Sequence, residues 1–202
     1  LGLARVDLYQ IHWPFPPMPV EMWAEGLAEA VEAGLTRAVG VSNYSVAQMR
    51  RTHALLAKRG IALASNQVEY SLLQRAPERN GVLAACKELG VTLIAYSPIA
   101  KGLLSGKYTP ANPPPGLRGR QTSRTYLARL QPLIGLLKEI GQAHGGKTPA
   151  QAALNWLMCK GAVPIPGVKN ARQVQGNVGA LGWRLTNDEV NALDLASEPV
   201  QL

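Results

Sequence analysis

The chain has 202 residues, 47% of them hydrophobic and 17% charged, and its 21 Lys and Arg against 13 Asp and Glu give a formal net charge of +8. Such a composition excludes an intrinsically disordered chain, and the length predicts a single domain over residues 1–202. No apolar run approaches the roughly 20 residues of a membrane-spanning helix, so we expect no membrane insertion.

Five short apolar runs alternate with longer helical patterns, which is typical of βα units built around a parallel sheet. The runs are nearly continuous in hydrophobicity, which predicts strands buried on both faces. In chain order, the predicted strands are residues 6–13, 37–43, 63–69, 92–98 and 162–167. A complete parallel barrel has eight such units, so we expect about three fewer than a barrel needs.

The segments between the strands carry clear helix signals. Ser45, Thr148 and Thr186 each precede a Gln or Glu by three residues, which predicts a capping box at the start of three helices. Glycines that follow a helical pattern predict its end, and they are Gly34, Gly60 and Gly90. The longest interval between strand ends runs from residue 97 to residue 167 and holds a Pro- and Gly-rich loop over residues 108–120.

Polar side chains occur at the end of every predicted strand. A single polar strand end is explained by a turn or a helix cap, but five in succession favour a site, because parallel barrels build their sites at these ends. The residues in question are His12, Ser42, Asn43, Asn66, Gln67, Tyr96, Ser97, Gly167, Lys169 and Asn170.

Two motifs, LYQIHWP over residues 8–14 and VGVSNY over residues 39–44, resemble the aldo/keto reductase superfamily in order and spacing. Further matches are NQVEY over residues 66–70, AYSP over residues 95–98 and IPG over residues 165–167. Together with SPIAKG over residues 97–102, they are most similar to the plastid-type reductases of plants and algae. The resemblance implies a (β/α)8 TIM barrel, incomplete here, in which this chain supplies the fourth to eighth strands.

The resemblance also implies a reaction, the reduction of aldehydes or ketones by hydride transfer from NADPH. His12 matches the position that orients the substrate carbonyl and stabilises the negative charge that develops on its oxygen. Trp13 belongs to an apolar substrate wall. The residues assigned to the nicotinamide are Ser42, Asn43 and Gln67 for its carboxamide and Tyr96 for stacking on its ring.

The remaining cofactor positions are assigned to the NADP phosphates and adenine. Gly167, Lys169 and Asn170 precede a predicted helix near residue 171, and helix-terminal amides with a nearby lysine suit the adenosine 2′-phosphate. Gln173 and Asn177 match adenine-side positions, and Ser97 also matches a cofactor position. Gly176 departs from the family pattern, which has an acidic residue there.

The family's catalytic set comprises Asp, Tyr, Lys and His, and only His12 has a match in this chain. The other three would come from strands that precede residue 1, and none of the six tyrosines replaces the proton donor. We therefore expect the 202 residues alone to be a poor catalyst. Two alternatives remain open, a non-catalytic nucleotide-binding or regulatory subunit of the same fold and an interaction fragment with no cofactor site.

The basic charge suggests nucleic acid as another partner, because nucleic-acid-binding domains are often basic. The densest basic stretch consists of Arg118, Arg120, Arg124 and Arg129, and only Tyr126 could stack on a base there. Proteins that bind single strands interleave aromatic side chains with the charges, so we expect no nucleic-acid binding.

The cysteines and histidines predict no metal site. Cys86 and Cys159 have no ligand spacing, which indicates core packing in a reducing compartment, either chloroplast or cytosol. His53 and His144 have no partner at a ligand spacing and are expected on the surface. The expected partners are a small-molecule carbonyl substrate and either a missing N-terminal segment or a second copy of the chain.

Overall fold

The computed structural model describes residues 2–116 and 122–202. Within these ranges the strands are β1 (Val6–Ile11), β2 (Thr36–Ser42), β3 (Leu63–Glu69), β4 (Thr92–Tyr96) and β5 (Ala162–Ile165). The α-helices are α1 (Val20–Glu32), α2 (Val46–Ala57), α3 (Ala76–Arg79), α4 (Val82–Leu89), α5 (Arg124–Ala143), α6 (Pro149–Cys159), α7 (Ala171–Val178) and α8 (Asn187–Ser197). Two 3-10 helices cover Ala100–Ser105 and Glu198–Val200. Arg118, Arg120 and the end of the predicted 108–120 loop lie outside the described residues.

The strands follow one another in a single sheet in the order β1-β2-β3-β4-β5. Strands β1 and β2 are parallel, as are β2 and β3, and helices separate all three strands along the chain. Side chains alternate between the two faces of a strand. On β2, Val39 and Val41 are fully buried, so Gly40 and Ser42 lie on the opposite face of the sheet.

All five predicted strands are confirmed, but four of them end one or two residues earlier than predicted. Strand β2 ends at Ser42 because Asn43 has a φ of 60°, and β4 ends at Tyr96 because Ser97 has a φ of 51°. Strand β5 ends at Ile165, directly before Pro166. His12 and Trp13 therefore belong to the loop after β1.

All three predicted capping boxes are confirmed, at Ser45 before α2, Thr148 before α6 and Thr186 before α8. In each, the cap oxygen accepts a bond from the third helical N–H, and the side chain of that third residue returns a bond to the cap backbone. These local bonds fix where each helix begins. No helix in the described ranges has the length and apolar character to cross a lipid bilayer.

Two compact units can be distinguished in the chain. Unit 1 comprises Leu1–Glu69 and Ala76–Ile94, and unit 2 comprises Tyr70–Arg75 and Ala95–Leu202. The core of unit 1 contains fully buried Leu27 of α1, Val39 and Val41 of β2, and Met49 of α2. In unit 2, helices α5, α6 and α8 supply about half of the buried hydrophobic side chains, including the fully buried Leu137, Trp156 and Leu193.

Candidate functional site

In unit 1, the carbonyl of Gln67 joins the end of β2 to the end of β3. It accepts a hydrogen bond from the Ser42 hydroxyl at 2.8 Å and another from the backbone N–H of Asn43 at 2.8 Å. Asn43 reaches this position through a left-handed backbone with a φ of 60°, which Asn tolerates better than most residues.

The side chain of Asn43 extends the same network to β1. Its Nδ2 donates to Ser42 Oγ at 2.9 Å and to the carbonyl of His12 at 3.4 Å. The structure therefore brings four of the predicted site residues together: His12, Ser42, Asn43 and Gln67. The His12 side chain is exposed, and Trp13 is 41% exposed and stacks on Phe15 with ring centroids 6.2 Å apart.

The hydroxyl of Ser42 has little capacity left to bind a ligand. Its single proton is directed to the Gln67 carbonyl, so the oxygen acts toward Asn43 as an acceptor. The residue is only 3% exposed. Ser42 thus holds the strand ends in place, and a direct bond from its hydroxyl to a cofactor would require that hydroxyl to rotate.

One polar side chain of this network escaped the sequence prediction. Gln10 of β1 accepts a hydrogen bond from Gln67 Nε2 at 3.0 Å, and its own Nε2 donates to Ser65 Oγ at 3.0 Å and to the Val41 carbonyl at 3.4 Å. The signal was present in the sequence, because Gln10 is a polar residue within a mostly apolar run, two residues before His12.

Asn66, one of the polar strand-end residues, has a structural role. It is fully buried, and its side-chain amide bonds both the backbone N–H of Tyr44 at 3.4 Å and the Tyr44 carbonyl at 3.1 Å. The hydroxyl of Tyr44 is buried without a hydrogen-bond partner among the described residues, and burial raises the pKa of Tyr44 to about 12. A phenol with so high a pKa is a poor proton donor near neutral pH.

In unit 2, Tyr96 and Ser97 lie at the end of β4 and are both half-buried. The Tyr96 carbonyl accepts a bond from the Tyr70 N–H at 3.3 Å, and the Ser97 carbonyl accepts one from the Ala100 N–H at 2.8 Å. Positive φ angles recur at Ser97, Ala100 and Lys101. This conformation costs free energy in non-glycine residues and is frequent at functional sites.

The second predicted cluster of unit 2 surrounds the start of α7. Asn170 caps the helix by accepting from the Gln173 N–H at 3.0 Å, and Gln173 Oε1 accepts from the Lys169 N–H at 2.7 Å. Lys169 and Asn170 are exposed, as is Gly167. These bonds hold Lys169, Asn170 and Gln173 together as predicted neighbours at one helix N-terminus.

Two cationic side chains lie at the start of α7. Lys169 and Arg172 are exposed, and neither forms an ion pair with any residue that the structure describes. The predicted adenine-side residue Asn177 is half-buried near the end of the same helix. The N-terminus of α7 therefore combines free cationic side chains with the positive end of the helix dipole, which favours an anion.

The expectation that His144 is a surface residue is wrong. Its ring is only partly exposed, because Nε2 lies 2.9 and 3.0 Å from the two carboxylate oxygens of Glu189 and the ring lies 4.7 Å from that of Trp183. Glu189 is 45 residues away in sequence, so no local spacing could reveal this pair. Cys86 is buried as predicted, and burial raises the pKa of its thiol to about 11.

Comparisons of the sequence with a family model and with known proteins identify the family to which these motifs belong. A family model described as the aldo/keto reductase family matches residues 1–198. Chloroplastic pyridoxal reductase of Arabidopsis thaliana is 43% identical over 201 residues, which cover 98% of this chain and 54% of the relative. An aldo-keto reductase of Schizosaccharomyces pombe named for NADP(+) is 32% identical over 211 residues, covering 100% of this chain and 60% of the relative. The chain thus spans 54% to 60% of the length of these two relatives.

Solved structures agree with the sequence relatives. Glycerol dehydrogenase of Gluconobacter oxydans superimposes with a TM-score of 0.85 at 28% identity, covering 96% of this chain and 59% of that one. A thermostable aldo-keto reductase in complex with the inhibitor epalrestat gives a TM-score of 0.74 at 33% identity, covering 96% and 60%. The neighbours confirm the predicted fold class, a (β/α)8 TIM barrel that is incomplete here, with five parallel strands.

Proposed function

The chain belongs to the aldo/keto reductase family, and from this premise we propose that it binds NADP(H) and contributes to the reduction of aldehyde or ketone carbonyls. One observation carries the proposal. Three adjacent parallel strands end in the hydrogen-bonded cluster of His12, Ser42, Asn43 and Gln67, at the ends where barrel enzymes place their sites.

The cluster offers an acceptor that fits the carboxamide of a nicotinamide. A carboxamide needs an acceptor for its NH2 group and a donor for its oxygen. Gln67 is half-buried and uses its Nε2 within the protein, whereas its Oε1 accepts no hydrogen bond from any described residue. Gln67 therefore offers an acceptor for the carboxamide NH2 group.

NADPH would supply the hydride for carbonyl reduction. The work of this chain's own residues is to orient the carbonyl and to stabilise the charge on its oxygen, and the exposed ring of His12 can donate a hydrogen bond there. The exposed Trp13 offers an apolar surface to the substrate. Tyr96 and Ser97 are assigned to the cofactor by family position.

The phosphate end of the cofactor is assigned to α7 of unit 2. Lys169 and the capped helix N-terminus suit the adenosine 2′-phosphate, and Gln173 and Asn177 keep their adenine-side assignment. Gly176 replaces the acidic residue usual in the family, which predicts weaker adenine binding than in members that retain it. Gly167 completes the proposed set of cofactor residues, all within one NADP-dependent oxidoreductase domain over residues 1–202.

The expected behaviour of the 202 residues is cofactor binding with little turnover, because His12 alone matches the family's catalytic set. Pyridoxal is the first carbonyl to test, since a relative that is 43% identical is named pyridoxal reductase. Binding without turnover is also what the alternative of a regulatory nucleotide-binding subunit predicts, whereas an interaction fragment would bind no cofactor.

Titration of the purified chain with NADPH, followed by cofactor fluorescence, tests the proposal. We expect saturable binding that 2′,5′-ADP, the adenosine part of the cofactor, reduces by competition. Lys169→Gln should weaken this binding, and its matched control is Lys138→Gln, which replaces an exposed lysine of α5 outside both proposed clusters. A folded chain that binds neither NADPH nor 2′,5′-ADP would leave only the interaction fragment. Full-rate pyridoxal reduction by the same chain would refute the expected lack of turnover.

A further inference from the structure

We infer that Gln10 is a positioning residue that fixes which atom of the Gln67 amide faces the cofactor, and this inference rests on the proposed nicotinamide role of Gln67. Gln10 lies on β1 at the register position of Gly40, and Gly40 is in turn level with Ser65 on β3. Gln10 thus reaches across the neighbouring strand to the side chains of the third.

The hydrogen bonds of Gln10 determine its orientation. A backbone carbonyl only accepts, so the end of the Gln10 amide that faces the Val41 carbonyl at 3.4 Å must be the nitrogen. The same nitrogen donates to Ser65 Oγ at 3.0 Å. The oxygen of Gln10 is then the atom that faces Gln67.

This orientation is transmitted to Gln67. Because Gln10 presents an acceptor, Gln67 must present its Nε2, and the two atoms are 3.0 Å apart. The opposite end of the Gln67 amide is therefore its oxygen. Gln10 thus selects a ligand group that donates a hydrogen bond, as the carboxamide NH2 of a nicotinamide does.

Gly40 provides the space that this relay requires. A Cβ atom at residue 40 would overlap Ser65 Oγ and would lie 3.1 Å from both Cγ and Nε2 of Gln10. Any larger residue at this position must displace the Ser65 hydroxyl, which accepts from Gln10 Nε2, and crowds the Gln10 side chain itself. The relay thus consists of Gln10, Gly40 and Ser65, and Gln67 is the residue through which it acts.

The central test replaces Gln10 by Met, which is also unbranched and has a similar length. Without the Gln10 acceptor the Gln67 amide can rotate, so we expect Gln10→Met to weaken NADPH binding about 5- to 10-fold, the effect of one net hydrogen bond. The affinity for 2′,5′-ADP should stay unchanged. Gly40→Ala leaves the Gln10 side chain chemically intact but displaces it, and should weaken NADPH binding in the same direction.

A double-mutant cycle separates positioning from a general structural effect. In a Gln67→Leu background there is no amide to orient, so Gln10→Met should no longer change NADPH affinity. A cofactor analogue with an acetyl group in place of the carboxamide has no NH2 donor, and its affinity should also be insensitive to Gln10→Met. The exposed Gln142→Met serves as the control for replacing a glutamine, and circular dichroism checks that each variant is folded.

The outcomes distinguish the proposed binding of NADPH from the positioning role of Gln10. If the wild-type chain binds no NADPH, both the proposed function and this inference fall. If it binds NADPH and Gln10→Met binds it equally well, only the inference is overturned. Equal weakening of NADPH, 2′,5′-ADP and the acetyl analogue, or an undiminished effect in the Gln67→Leu background, would also overturn it. Should Gln10→Met fail to fold, Gln10→Leu, which likewise has no acceptor for Gln67 Nε2, provides the same comparison.

Discussion

The pair of His144 and Glu189 shows how one residue can serve two local structures. Glu189 completes the capping box of α8 by accepting from the Thr186 N–H at 2.8 Å, and its carboxylate also bonds His144 at the end of α5. Burial acts to raise the pKa of Glu189, but hydrogen bonds from Thr186 and His144 outweigh it and lower the pKa below its ordinary value of 4.5.

The lowered pKa predicts a pH-dependent contribution to stability. A carboxyl whose pKa is lower in the folded state stabilises the fold above its unfolded pKa, and this contribution is lost as the pH falls through the folded pKa. Glu189→Gln retains the capping box but removes the charge. We expect the free energy of unfolding of Glu189→Gln to be about 0.5–1 kcal/mol lower than that of the wild type near neutral pH. Once the wild-type carboxyl is protonated, the two proteins should be equally stable.

Urea denaturation at neutral pH and at a pH well below 4.5 measures this difference. Glu139→Gln, on an exposed position of α5, is the matched control and should change stability little at either pH. A stability difference between Glu189→Gln and the wild type that persists unchanged at the acidic pH would contradict the assigned role of the charge.

At the residue scale, the candidate cluster was predictable in part. His12, Ser42, Asn43 and Gln67 follow from polar residues at strand ends, because the ends of parallel strands meet at one edge of a sheet. The orientation of each amide could not be predicted, since it depends on bonds between side chains on different strands. Gln10 and Gln67 are 57 residues apart, and only the register of three strands brings them together.

Helix α5 contains two glycines with different surroundings, one that the fold requires and one that it does not. A Cβ atom on Gly141 would overlap the backbone carbonyl of Lys147, whose N–H donates to the Gly141 carbonyl at 2.7 Å. A Cβ atom on Gly135, less than two turns earlier, would meet no heavy atom within 4 Å. The chain thus turns back against the helix at Gly141.

These surroundings predict opposite effects of the same substitution. Gly141→Ala forces the backbone of Lys147 to move and should lower the free energy of unfolding by about 1–3 kcal/mol. Gly135→Ala should raise it by about 0.5–1 kcal/mol, because alanine has the higher helix propensity. Urea titrations with matching slopes report both changes. Finding Gly141→Ala as stable as Gly135→Ala would show that the close approach to Lys147 is not rigid.

At the element scale, helix starts were predicted more accurately than strand ends. A capping box involves four consecutive residues, so the three boxes at Ser45, Thr148 and Thr186 are visible in the sequence alone. The strand ends at Ser42 and Tyr96 depend instead on left-handed backbone at the next residue, which nothing in the local residue types requires.

At the scale of the whole molecule, most of the acidic side chains that the structure describes form ion pairs, whereas part of the basic excess does not. In unit 1, Arg59 pairs with both Glu25 and Glu32, and Arg50 pairs with Glu88. In unit 2, Asp194 accepts from Lys160 at 2.6 Å and from the Trp156 indole at 2.9 Å, and it also pairs with the buried Arg75.

The net charge of +8 therefore does not predict by itself where an anion would bind. The exposed Lys169 and Arg172 at the start of α7 form no ion pair within the described residues, and the helix N-terminus adds its own positive potential.

This distribution predicts how NADPH binding depends on salt. Charge interactions between exposed groups are screened over about 8–10 Å at physiological ionic strength, so NADPH affinity should fall severalfold as salt is raised from low to high concentration. Lys169→Gln removes one unpaired charge and should weaken binding about 3- to 10-fold at low salt, with a shallower salt dependence than the wild type. Lys138→Gln has the same effect on net charge.

The comparison of these two variants decides whether a local cluster or the overall charge attracts the cofactor. If the cluster at α7 holds the 2′-phosphate, Lys138→Gln behaves as the wild type and NADH, which lacks that phosphate, is insensitive to Lys169→Gln. If both variants weaken NADPH binding equally, the attraction comes from the +8 charge of the whole molecule, and the assignment of the 2′-phosphate to α7 is wrong.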